Sequence, residues 1–160
     1  LWVVRADGAE PRLVTHEPGI QFNAAWSPDG TQIVYAGGQG IRTYELFTIE
    51  VDHSQPRRLT ENQRDEFFPA WSPDGRQIAY SANTDGDFEL WLMNVDDSEP
   101  RRLTSSPGLD SRPTWSPDGH HLAFTTNRSG KLEIWLMHAD GTQPRPLIAE
   151  DADVQDPAWR

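Results

Sequence analysis

The chain has 160 residues, no cysteine and a formal net charge of −11, from 25 acidic and 14 basic side chains. So acidic a chain is repelled by nucleic acid and by anionic lipid, which excludes those partners, and the missing thiols remove disulfides and cysteine chemistry. Hydrophobic residues reach only 36%, with burial concentrated in seven tryptophans, and no helix-period stretch or membrane-length apolar run is present, so membrane insertion is not expected.

From the N-terminus, Leu1 to Arg5 reads as a strand, Asp7-Gly8 as a turn and Arg12 to Thr15 as a second strand. A strand ending at Trp26 follows, and then Ser27-Pro28-Asp29-Gly30. There the proline presets φ for the second position of a type I turn, the glycine takes the positive-φ position, and the serine bonds its own backbone. From this point everything recurs. Trp-Ser-Pro-Asp-Gly returns at Trp71 to Gly75 and at Trp115 to Gly119, and a further tryptophan stands at Trp159, giving spacings of 45, 44 and 44 residues. Fifteen residues before each tryptophan is a proline followed by arginine: Arg12, Arg57, Arg101, Arg145. Nineteen before is an aspartate (Asp7, Asp52, Asp96, Asp140), and twenty-four before is a large aromatic (Trp2, Phe47, Trp91, Trp135).

Within one unit four short strands, a to d, are predicted. Strand a is Phe68 to Trp71, strand b Gln77 to Tyr80 or His121 to Phe124, and strand c Glu89 to Val95 or Glu133 to Ala139. Polar loops Asn83 to Asp87 and Asn127 to Lys131 join b to c, and strand d is Arg57 to Thr60 and its equivalents. The c–d turn glycine is replaced by His53 in one unit and Asp97 in the next, which should loosen those turns. Strand c is apolar at consecutive positions, as in Leu90-Trp91-Leu92-Met93, so both its faces are buried. Strand d carries proline and paired arginines, which suit an open edge.

A repeat of about 40–45 residues with four strands is the size of a propeller blade. The expectation is therefore an all-β propeller of four-stranded antiparallel blades, about 3.5 of them present. Residues 1–17 form the end of a first blade, 18–62, 63–106 and 107–150 are whole blades, and 151–160 start a further one. The periodic aromatics are assigned to packing between blades. Fifteen strands fall short of a closed ring of ordinary size, which has about four to eight blades. The chain is thus expected either to be a piece of a longer array or to self-associate through terminal blades that have no polar cap.

The run Pro-Ala-Trp-Ser-Pro-Asp-Gly, then Ile-Ala-Tyr-Ser, Glu-Leu-Trp-Leu-Met-Asn and Pro-Arg-Arg-Leu-Thr, resembles the WD-like β-propeller repeat of the TolB type over essentially the whole chain. The resemblance implies a six-bladed parent ring. It also implies a periplasmic or otherwise extracytoplasmic bacterial location and a non-catalytic role in binding a protein or peptide partner, as TolB does with the peptidoglycan-associated lipoprotein. The same repeat occurs in propellers attached to prolyl-oligopeptidase-like and tricorn-like peptidases, where it filters substrates, so that role stands as the alternative. Residues after Arg160 in the parent gene discriminate the two.

No enzyme activity, cofactor or metal is expected of these residues. Ser27, Ser72 and Ser116 recur in every unit, whereas a reaction needs one site, and no Gly-x-Ser-x-Gly elbow is present. His120 and His121 point to opposite faces of a strand, and His16, His53 and His138 fall at unrelated positions of the repeat. Asn83 to Asp87 has the flavour of a calcium loop, but Asn94 stands where an EF-hand needs glutamate. Topology offers a better candidate surface, because d–a and b–c loops emerge together around the channel mouth. Asp65, Asp110 and Asp153 are candidates for an acidic ring there that attracts a cation or a basic peptide, or else they bond loop amides beside strand a. Glu66, Arg112, Gln155, Asp85, Asp87, Arg128 and Lys131 complete the candidate binding set, because their identities vary between units on a shared scaffold.

Overall fold

Each Trp-Ser-Pro-Asp-Gly segment builds one hydrogen-bonded turn. In a computed structural model, which describes residues 1–39, 44–52, 55–84, 86–96, 100–148 and 154–159, the Ser27 hydroxyl donates to Asp29 Oδ1 at 2.6 Å and accepts the Gln32 amide at 2.9 Å. Asp29 Oδ1 also takes the Thr31 amide at 3.0 Å, and Gly30, at φ 71°, donates its amide to the Ser27 carbonyl. Ser72 with Asp74 and Ser116 with Asp118 repeat the hydroxyl–carboxylate contact at 2.6 and 2.5 Å. The serines are committed to the turn. Their hydrogen bonds are the main reason that the three aspartates are held below the usual carboxylate range.

The turns fold the chain into antiparallel sheets. Strands β1 (Trp2–Val3) and β2 (Arg12–Leu13) pair alone. Three four-stranded meanders follow: β3 (Ile20–Trp26), β4 (Gln32–Gly38), β5 (Glu45–Glu50) and β6 (Arg57–Arg58); β7 (Glu66–Trp71), β8 (Gln77–Thr84), β9 (Asp87–Asn94) and β10 (Arg101–Arg102); β11 (Asp110–Trp115), β12 (His121–Thr126), β13 (Glu133–His138) and β14 (Arg145–Ile148). This is the expected propeller segment.

The core lies between the sheets. Ile78, Tyr80, Trp91 and Met93 of the β7–β10 sheet pack against Val34, Ala36 and Leu46 of the sheet before it. Ala79, Leu90 and Leu92 emerge on the other face, against Trp115, Leu122, Phe124 and Met137 of the sheet after it. Consecutive apolar residues on β8 and β9 are buried on both faces for this reason.

Three local features depart from the expected strands. Strands β6 and β10 stop after two residues because a threonine hydroxyl replaces the next backbone carbonyl: Leu46 N donates to Thr60 Oγ1 at 2.8 Å, and Leu90 N to Thr104 Oγ1 at 2.9 Å. The polar loop between β8 and β9 is a tight hairpin, with Asn83 opposite Phe88 and Thr84 opposite Asp87. Residues 154–159 form no ladder, so the described strands number fourteen. They nonetheless lie where an inner strand would: Val154 N bonds Leu132 O, Asp156 N bonds Thr125 Oγ1 and Trp159 Nε1 bonds Thr114 O, at 2.9, 3.3 and 3.3 Å. Among the described residues no further strand lies beside them to pair with. His53 and Asp97 lie outside the described residues.

The tryptophans divide by position. Trp91 and Trp115 are wedged between sheets, but Trp2, Trp26 and Trp159 are 66%, 49% and 38% exposed. Inter-blade packing therefore does not hold for all of them. Trp115 sits against Ala70 of the preceding inner strand, with Nε1 donating to its carbonyl at 3.1 Å, whereas among the described residues the sheet before Trp26 has the two strands β1 and β2.

The recurring arginines do more than guard an edge. Arg57 reaches Val95 O at 2.8 Å and Arg101 reaches Asp140 O at 2.9 Å, both on the following sheet's c–d turn, and Arg12 reaches Asp52 at 3.5 Å. Each stitches its sheet to the next.

Candidate functional site

Strands β3, β7 and β11 are edge strands of their sheets and pack against one another from sheet to sheet. They form the inner wall of the array, and each carries the same irregularity. The ladder slips between Phe22 and Ala25, between Phe67 and Ala70, and between Ser111 and Thr114. At each slip a non-glycine residue adopts the left-handed conformation: Asn23 at φ 50°, Phe68 at 52° and Arg112 at 56°. Asp156 repeats it at 61° in the segment after the last sheet. A bulge leaves one residue outside the ladder, so the missing N–H of the next residue costs nothing when it is Pro69, Pro113 or Pro157. Left-handed backbone at non-glycine residues costs on the order of 1 kcal/mol or more, and here it is kept four times at positions three before the tryptophans.

The three bulges, with the matching left-handed residue Asp156, place four dissimilar side chains along the inner wall, and three of them touch. The Arg112 guanidinium stands 4.7 Å over the Phe68 ring and pairs with Asp156. An amide, an aromatic ring, a cation and an anion thus occupy one backbone position in successive units.

Beside this row, at the end of the sheets where d–a and b–c connections emerge, lies an aromatic cluster. Phe67 is its centre, with ring centroids 5.6 Å from Phe22, 5.6 Å from Tyr44, 5.5 Å from Phe88 and 6.2 Å from Phe68. Phe22 and Tyr44 meet edge-to-face at 5.0 Å. All five rings are half-buried, so the cluster presents apolar surface while holding itself rigid.

Buried polar networks support this surface from below. Glu45 accepts Arg58 and the Asn62 amide, both at 3.0 Å, and its Oε2 has no hydrogen-bond partner among the described residues. Glu66 accepts the Thr60 hydroxyl and Asn62 Nδ2, the latter at 2.7 Å. Burial, reinforced by the charge of Glu45, pushes the Glu66 carboxyl up to about 7. In the next sheet Glu89 accepts Arg102 at 2.6 Å and Thr104 at 2.5 Å. Asp110 accepts Ser106, Thr126 and Arg128 at 2.9, 2.5 and 2.7 Å.

The residues singled out from sequence are distributed unevenly over this surface. Asp110 does not reach the mouth: it is fully buried, it opens β11 as Glu66 opens β7, and it is neutralised by Arg128. Glu66 is fully buried as well. Asp65 is half-buried and accepts the Tyr44 amide at 3.1 Å. Arg128 lies over the Trp135 ring at 4.4 Å, Arg112 belongs to the bulge row, and Gln155, Asp87 and Lys131 are exposed. Asp85 and Asp153 lie outside the described residues. Sequence reasoning missed Asn23, Phe68 and Asp156 and the rings around Phe67. The available signal was a fixed offset from each tryptophan at which residue type changes while the flanking pattern holds.

A family model described as the TolB beta propeller domain matches residues 60–160. No curated protein matches the chain. Among solved structures, a putative TolB from Agrobacterium tumefaciens is 25% identical with a TM-score of 0.83, over 93% of this chain and 55% of that one. TolB from Acinetobacter baumannii is 22% identical with a TM-score of 0.85, over 95% of this chain and 38% of that one. A puromycin-hydrolyzing peptidase from Mycobacterium tuberculosis shares the fold at 14% identity and a TM-score of 0.71, over 92% of this chain and 24% of its own. The chain therefore spans about half, or less, of the length of these proteins.

Proposed function

Because the chain belongs to the TolB β-propeller family, we propose that it acts as a non-catalytic scaffold of the bacterial cell envelope, holding a segment of a partner protein against its inner wall and channel mouth. The observation that carries this reading is the bulge row Asn23, Phe68, Arg112 and Asp156 beside the half-buried rings around Phe67. Hot spots of protein interfaces favour aromatic residues and arginine in a rigid, partly desolvated setting, and this surface combines them. Asp87 is exposed at the rim and Asp156 pairs with Arg112, so the surface offers charges of both signs beside its rings to a segment that mixes apolar and charged residues. Lys131 and Gln155 at the loop ends add polar contacts.

Site-specific photo-crosslinking in cells tests the reading. A photoreactive residue at position 68 or 112 is expected to give a discrete protein adduct in the envelope fraction, and one at Arg76, on the opposite end of the sheet, is not. Adducts at all three positions alike, or at none, would refute it.

The likeness to a puromycin-hydrolyzing peptidase favours a second reading, in which the same surface meters substrates for a neighbouring hydrolase domain. Under that reading the adducts at 68 and 112 would be with peptides rather than with one protein.

A further inference from the structure

His121 and His138 face each other across the β12–β13 ladder, directly opposite in register. Their ring centroids are 5.1 Å apart, with the planes tilted by 35°. They lie on the sheet face that carries Ala123, Ile134 and Leu136, at the end where the a–b and c–d turns emerge. The neighbouring sheets place different side chains here. Gln77 stands opposite Asn94, donating Nε2–H to Oδ1 at 2.9 Å, and Gln32 stands opposite Glu50. Amide pairs satisfy each other, whereas two neutral imidazoles each offer a ring nitrogen lone pair.

From this geometry we infer a binding site for a divalent first-row transition-metal ion, with His121 and His138 as its two protein ligands and water completing the shell. Two imidazoles that share a tetrahedral ion through Zn–N bonds of about 2.1 Å have centroids roughly 5 Å apart, the centroid separation seen here. Residues directly opposite on antiparallel strands have Cβ atoms about 4.5–5.5 Å apart, which preorganises both ligands on a rigid ladder. Two turn carboxylates supply a favourable field. Asp118 accepts the Ser116 hydroxyl and the His120 amide, and Asp140 accepts the Thr142 amide, in the two turns that flank the rings. Imidazole and carboxylate surroundings suit copper, zinc or nickel rather than calcium or magnesium, and affinity should follow the usual order, with Cu²⁺ above Zn²⁺. His120, exposed and adjacent, is not a ligand. The sequence alone hid the pair because histidine recurs at neither position in the other units, where Asn94 and Glu50 align with His138. Only the register of β12 on β13 brings it to His121.

Calorimetric titration of the chain with Cu²⁺ and with Zn²⁺ at pH 7.5, repeated at pH 5, tests the site. One ion per chain is expected, bound more tightly for Cu²⁺ and weakened at pH 5, because protons compete with the metal for nitrogen ligands. His121→Gln and His138→Gln should each weaken binding at least about tenfold, and His120→Gln should leave it unchanged. Glutamine already stands at the position of His121 in two other sheets, so H121Q keeps the fold, and an unaltered circular dichroism spectrum verifies this. Absence of saturable binding, or binding that both variants retain, would overturn the assignment.

Discussion

Glu66 sets a pH dependence that runs opposite to that of most carboxylates. Its side chain is fully buried, held by Thr60 and Asn62 and close to Glu45, and its folded-state value rises from 4.5 to about 7. A raised folded pKa means that the native state binds the proton more tightly than the unfolded chain. This contribution is therefore fully present below about pH 4.5 and is lost as pH climbs through 7. At 1.36 kcal/mol per pKa unit the loss amounts to about 3 kcal/mol. Glu66→Gln replaces the protonated carboxyl by a neutral group of the same shape and removes the titration. Urea unfolding of both proteins from pH 4.5 to 8 measures the effect. The stability of E66Q minus that of the wild type should rise by about 3 kcal/mol across this range, half of it near pH 6. Groups that do not interact with Glu66, including the turn aspartates whose shifts have the opposite sign, cancel in the difference. A difference that stays flat within about 0.5 kcal/mol would refute the argument that burial governs this carboxyl.

Other substitutions probe the remaining elements by equilibrium unfolding. Ser72→Ala leaves the Gln77 amide and Asp74 without their shared partner and should cost about 1–2 kcal/mol, with Ser27→Ala and Ser116→Ala similar because the turns are alike. Trp115→Ala should cost about 3–5 kcal/mol, but Trp26→Ala, at a half-exposed site, only about 1–2 kcal/mol; equal costs would contradict the packing described for the two ends. Asn23→Gly should be neutral or stabilising by up to about 1 kcal/mol, because glycine relieves left-handed backbone, while Asn23→Val should destabilise by more than that.

Much of the architecture was legible in one sequence because a repeat samples the same physics several times. Four tryptophans at nearly equal spacing, with Ser-Pro-Asp-Gly after three of them, fix the length of the blade and its tightest turn, and strand c declares double burial through Leu90 to Met93. The candidate site was less legible. A bulge has no residue signature beyond tolerance, so Asn23, Phe68, Arg112 and Asp156 share a backbone conformation but no chemistry. Grouping Asp110 with Asp65 put it in the wrong register: counted five residues before its tryptophan it matches Glu66, and the two share a buried place at the start of an inner strand. Glu45, Glu89 and their arginine partners depend on contacts between strands c and d, which composition and spacing do not specify.

The central claim is that inner strands of successive blades stand side by side and gather Phe22, Tyr44, Phe67 and Phe88 into one surface. Nuclear Overhauser spectroscopy on chain with selectively protonated phenylalanine tests this most directly. Ring centroids of 5.6 Å for Phe22–Phe67 and 5.5 Å for Phe67–Phe88 predict strong aromatic cross-peaks for both pairs. A folded chain in which the Phe22–Phe67 cross-peak is missing would separate those strands and contradict the account.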